Sequence, residues 1–109
     1  MDIRMATHND LALCAGLDGS YQSERVWQME APEQESEIRV VFRTTRLPRK
    51  LQVPYPLDPM VLEWDLQHEE CFLVAEEEGE IVAFLDMRIQ AWQRLGWVHH
   101  LVVDRNHRR

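Results

Sequence analysis

Two adjacent histidines, His99 and His100, stand inside the apolar run WVHHLVV, and Arg105, Arg108 and Arg109 follow within a few residues. Imidazole titrates near neutral pH and can take or give a proton. Guanidinium matches the geometry and charge of a phosphate. Groups that move protons and groups that hold anions are therefore neighbours here. Alternation along a strand sends consecutive side chains to opposite faces. His99 is thus expected to share a face with Trp97 and to point away from His100, so the pair is not expected to ligate one metal ion.

A second concentration of chemistry lies upstream. From Leu51 to Met87 there is no Lys or Arg, while Glu63, Asp65, Glu69, Glu70, Glu76, Glu77, Glu78, Glu80 and Asp86 accumulate. The ordinary role of such a block is a solvated face. Its functional role would be to attract a cationic substrate. Arg39, Arg43, Arg46, Arg49 and Lys50 form an opposing basic stretch. The net charge of −7 disfavours nonspecific nucleic-acid binding. The cysteines, Cys14 and Cys71, sit in LALCAGL and EECFLVA, outside any metal-ligand spacing, and read as reduced thiols. No metal is implied.

These groups need elements to position them. The 109 residues suit one domain. No apolar run approaches the roughly 20 residues of a membrane span, and MDIRMATHND lacks the apolar core of a signal peptide. A cytoplasmic protein with no membrane partner is expected. DIRMAT reads as a short strand. Asn9 or Asp10 caps a helix over DLALCAGL that ends near Gly16 or Gly19. RVWQME and EIRVVFRTTRLP, joined by the polar link APEQES, read as an antiparallel hairpin. Pro48, Pro54, Pro56 and Pro59 are expected to break regular structure. Asp58-Pro59 opens a helix to about His68. In it Val61, Leu62, Asp65 and Leu66 show a mixed period. CFLVAEEEGEIVAFLDMRIQAW is a hairpin turning at Gly79, and Leu95-Gly96 turns the chain into a last strand, Trp97 to Val103. Trp27, Trp64, Trp92 and Trp97 are expected in the core or at its edge. Short turns make neighbouring strands antiparallel. The fold class is α+β, a mostly antiparallel central sheet with flanking helices.

From Cys71 to Arg109 the sequence resembles the central part of a GNAT-superfamily acyltransferase. An antiparallel hairpin leads to an L-x-V strand, here Leu101-Val102-Val103 after His100. Asp104-Arg105-Asn106-His107 is the lead-in to a basic loop of the form [QR]-x-x-G-x-[GA]. Arg108 takes the first position of that loop and Arg109 the second. IRMATHNDLALCAGL resembles the family's first strand and helix, whereas Ala83 stands where the family's hairpin frequently has Gly. The resemblance implies a GNAT-like fold whose C-terminal part is missing, the chain ending inside the pyrophosphate-binding motif as a single incomplete domain.

The same resemblance implies an N-acetyltransferase with acetyl-CoA as co-substrate. Its acceptor would be a small-molecule amine or a basic peptide. Main-chain groups of Leu101, Val102 and Val103 would hold the pantetheine arm and the acetyl carbonyl, and Arg108 and Arg109 the pyrophosphate. Where some family members carry a glutamate, this chain has Trp97. His99, on the same face, is then the candidate general base. A tail without its helix is expected to be frayed. An uncovered last strand and face imply a homodimer or another partner. The competing possibility is a noncatalytic module that binds a protein along its sheet edge.

Overall fold

A computed structural model describes residues 1–33 and 36–109. The chain divides into two compact units, one of Met1–Ser20 with Tyr55–Arg109, the other of Tyr21–Pro54.

The first unit is built on a four-stranded antiparallel sheet ordered β1-β4-β5-β6. Its strands are β1 (Asp2–Met5), β4 (Cys71–Glu77), β5 (Glu80–Gln90) and β6 (Leu95–Val103). Helices α1 (Leu11–Ala15) and α2 (Pro59–His68) pack with it. Leu11 and Cys14 of α1, Leu62 of α2, and Phe72, Val74, Ile81, Phe84 and Val102 of the sheet form the core. Phe72 and Phe84 stack across neighbouring strands with ring centroids 5.6 Å apart. Cys14 and Cys71 are free thiols, and burial pushes Cys14 up to about 12.

The helix starts follow from local chemistry. Asp58 accepts a hydrogen bond from Met60 N at 2.9 Å, and Pro59 occupies the first turn, where no N–H is missed. The β4–β5 turn places Glu78 and Gly79 at φ 53° and 82°, the left-handed conformation a two-residue hairpin turn requires.

Several sequence expectations need correction. Leu95 and Gly96 do not make the last turn. That turn is the 3₁₀ segment Ala91–Gln93 closed by left-handed Arg94, and β6 already begins at Leu95. Gly96 lies within the strand, packed where a Cβ would come 2.8 Å from Met87 Sδ. The tail is also anchored. Arg105–His107 forms a 3₁₀ turn, and the Asp104 carboxylate accepts from Asp18 N and Asn106 N. The tryptophans stay out of the core, between 46% and 81% exposed.

In the second unit, β2 (Tyr21–Glu30) and β3 (Val41–Val53) form the expected antiparallel hairpin. Within the polar link, Gln34 and Glu35 lie outside the described residues. Pro48 does not end the strand as expected. The register moves from Ser23↔Leu51 to Arg25↔Arg46, so Pro48 falls in a bulge where its missing N–H costs no ladder bond. Much of the basic stretch is paired locally, Arg43 with Glu30, Arg39 with Glu37 and Lys50 with Glu24.

Candidate active site

The site forms where α2, β5 and β6 meet. On α2 the inward stripe reads Leu62, Asp65, Leu66 and then Glu69 just past the helix end, a spacing that puts all four on one side. Leu62 is buried in the core and Asp65 is buried beside it. On β5, Val82, Phe84 and Asp86 are likewise buried on one face, with the carboxylate last. Both elements thus end an apolar run with an acid, and the acids converge.

A bulge in β6 brings the histidines. The β5–β6 register passes from Asp86↔His100 to Met87↔Val98, so His99 has no cross-strand partner. An extra residue breaks the alternation that would separate neighbouring side chains. The expectation that the two rings point to opposite faces is therefore wrong. His100 Nδ1 hydrogen-bonds Asp86 Oδ1 at 2.8 Å and lies 3.6 Å from Asp65 Oδ2. His99 Nδ1 lies 2.5 Å from Glu69 Oε1, without the alignment of a hydrogen bond. Phe84 and Tyr55 flank the His100 ring. His99 is the accessible member, its side chain 30% exposed.

Burial dominates the electrostatics. Desolvation raises Asp65 to about 6 and Glu69 to about 8, and the nearby Asp86 carboxyl pushes both the same way. Near neutral pH, Glu69 therefore carries a proton more often than an ordinary glutamate.

The L-x-V strand continues from the histidines. Asp104 N donates to Val82 O, so residue 104 faces β5. By antiparallel alternation Val102 faces β5 too, while the main-chain groups of Leu101 and Val103 point outward. Among the described residues β6 pairs with β5 alone, leaving that outer edge open. The Val102 side chain is in the core, and Leu101 is exposed. Arg108 donates from its guanidinium to Val103 O, Ser20 O and Asp18 O. That uses three of its five N–H groups and ties the tail to the turn before β2. Arg109 is exposed.

Comparisons with known proteins identify the family and the fold. The acetyltransferase (GNAT) family model matches residues 24–109. The chain belongs to the GNAT family. Its fold matches the crystal structure of a nourseothricin acetyltransferase, with a TM-score of 0.74 at 20% identity. The match covers 98% of this chain and 56% of that one. A second match is a protein of Bacillus anthracis str. Ames assigned as a streptothricin acetyltransferase and solved in complex with acetyl coenzyme A. There the TM-score is 0.63 at 17% identity, covering 98% of this chain and 58% of that one. This GNAT chain thus spans little more than half the length of either. No curated protein sequence matches it.

Within this GNAT chain, Leu101, Val103 and His99 are brought to one strand, while Arg108 is engaged with main-chain carbonyls. Sequence reasoning missed Asp65, Glu69 and Asp86 as a site. Their signal was present, an acid at a position where the surrounding period calls for an apolar residue.

Proposed function

We propose that the protein is an acetyl-CoA-dependent N-acetyltransferase with a cationic amine as acceptor. The observation that carries this is the bulge at His99. It sets a part-exposed imidazole against buried carboxyls two residues before the outward main-chain groups of Leu101.

In the proposed reaction a neutral amine attacks the thioester carbon. The arriving ammonium first gives one proton to His99; the neutral amine then forms the C–N bond, the C–S bond breaks, and the second nitrogen proton passes through solvent to the thiolate, which leaves as coenzyme A. The outward N–H and C=O groups of Leu101 and the Val103 N–H are donors and acceptors for a pantetheine arm and the acetyl oxygen. The two uncommitted N–H groups of Arg108, with Arg109, are cations for the pyrophosphate. The surrounding carboxylates bias the approach toward amines that arrive protonated. The names of the solved neighbours make nourseothricin and streptothricin the first acceptors to try.

The test is calorimetric titration of acetyl-CoA into the chain, followed by thiol release with those acceptors. One-to-one binding is expected, as is a fall of about 100-fold in turnover for His99→Gln with acetyl-CoA binding retained. A folded chain that binds no acetyl-CoA would sink this reading. It would favour the noncatalytic alternative, which rests on the open outer edge of β6 and its exposed Trp97 and Leu101.

A further inference from the structure

We propose that Asp65, Glu69, Asp86 and His99 form a binding site for one divalent transition-metal ion. Each offers one donor atom, and the four donors lie within 4.8 Å of one another. A central ion with bonds of about 2.0–2.6 Å spans donor pairs up to roughly that distance.

Proximity of acids alone would not justify a site. The second observation is that the inward oxygens lack hydrogen bonds: Glu69 Oε2 and Asp86 Oδ2 have no partner, and Glu69 Oε1 and Asp65 Oδ2 have only the unaligned imidazoles of His99 and His100 beside them. Asp65 Oδ2, both carboxyl oxygens of Glu69 and Asp86 Oδ2 are buried without a hydrogen bond. The side chains of Glu69 and Asp86 are 0% exposed and that of Asp65 is 4% exposed. Buried polar atoms are nearly always satisfied, so open carboxyl oxygens gathered in one place are a site for a shared proton or a bound cation. A ligand there must be cationic, because three acidic side chains face it.

Donor number selects a metal ion over an ammonium group. An alkylammonium has three N–H groups and drags a carbon chain, whereas four donors converge on one point. Three carboxylates and an imidazole suit manganese or zinc better than calcium or magnesium. His100 provides the outer support. Its bond to Asp86 Oδ1 fixes that carboxylate and leaves Oδ2 for the ion. His99, its side chain 30% exposed, is the solvent-facing donor of the set. The site stands on cluster geometry, independently of acetyl transfer. If both hold, ion binding and proton uptake compete for His99.

The experiment uses the whole chain, stripped with chelator and titrated with Mn²⁺ by electron paramagnetic resonance and with Zn²⁺ by calorimetry, without acetyl-CoA. Saturable uptake of one ion per chain is expected, with thermal stabilisation. Asp86→Asn should weaken binding at least 100-fold, and His100→Gln about 10-fold. His99→Gln replaces the part-exposed ligand, cannot collapse the core, and should also weaken binding at least 10-fold. Absence of saturable binding, or equal affinity in wild type, Asp86→Asn and His99→Gln, overturns the site. Acetyl-CoA binding is read separately, so loss of either proposal is distinguishable from loss of the other.

Discussion

Asp10 and Asp86 are both buried carboxylates in the same unit, one beside β1 and the other on β5. Asp10 has its needs met. Arg4 donates to both of its oxygens at 2.8 Å, and Thr7 donates to Oδ2 from its main-chain N–H at 2.7 Å and its hydroxyl at 3.0 Å. Arg4 reaches on to Glu76 across the β1–β4 pair. Asp86 has one hydrogen bond, from His100, and two further acids for neighbours. The Arg4 guanidinium holds Asp10 well below the usual carboxylate range, whereas burial drives Asp65 and Glu69 upward. A carboxylate paired in this way contributes to stability. A cluster left short of partners costs stability.

The largest expected effect breaks the satisfied side. Asp10→Ala removes two charge-assisted hydrogen bonds from Arg4, which keeps Glu76 as its partner, and leaves the Thr7 N–H and hydroxyl without their acceptor. A loss of about 2–3 kcal/mol in urea unfolding is expected at neutral pH. Wild type should lose the same contribution in acid. The folded Asp10 pKa is depressed, so its stabilisation is full above the ordinary value of 3.8 and drains away as pH falls below it. If Asp10→Ala unfolds in the same urea as wild type, the contrast between the two sites is false.

Next in size is the unsatisfied side, measured with chelator present. The folded Glu69 pKa is raised, so the folded state holds the extra proton between 4.5 and about 8. Stability contributed by this group is then greatest below pH 4.5 and falls as pH rises through that window. Glu69→Gln removes the titration. It should match wild type at the acid end and exceed it by roughly 1–2 kcal/mol above pH 8. A variant less stable than wild type at every pH would mean that Glu69 is a structural partner like Asp10.

The two sites also differ in how far they could be read from sequence. The helix start before LALCA was legible, but its side-chain cap was not Asp10 as expected: Thr7 is the N-cap of the 3₁₀ turn His8–Asp10, and the Asp10 carboxylate reaches back to the Thr7 N–H instead of capping α1. Asp58-Pro59 before α2 and Gly79 in the β4–β5 turn were legible because capping and turn formation are local chemistry. The L-x-V strand was legible in the same way, as a short motif with a basic follow-on. The acid cluster was not, although Asp65 stood in an apolar stripe and was noticed as an irregular period. Its acids were grouped by composition with Glu76, which pairs with Arg4, and with Glu77, Glu78 and Glu80, which do line a solvated turn. What separates them is tertiary, the convergence of α2 on β5. The bulge at His99 was equally hidden, since it exists only in the register of β6 against β5. Pro48 in β3 repeats the lesson, because a strand carries a proline only where its partner leaves a gap.

The smallest effect tests whether His100 is a weaker counterpart of Arg4. Arg4 gives Asp10 two hydrogen bonds and a permanent charge, while His100 gives Asp86 one hydrogen bond and stands 3.6 Å from Asp65. His100→Leu fills similar space between Phe84 and Tyr55 but leaves Asp86 with no donor. Its cost should be about 1 kcal/mol, the lower end of the penalty for an unsatisfied buried acceptor, and smaller than that of Asp10→Ala. His100→Gln keeps a donor near Oδ1 and should recover at least half of the loss. If leucine and glutamine destabilise equally, the ring acts by packing against Phe84, and hydrogen bonding to Asp86 is not what holds this corner of the sheet.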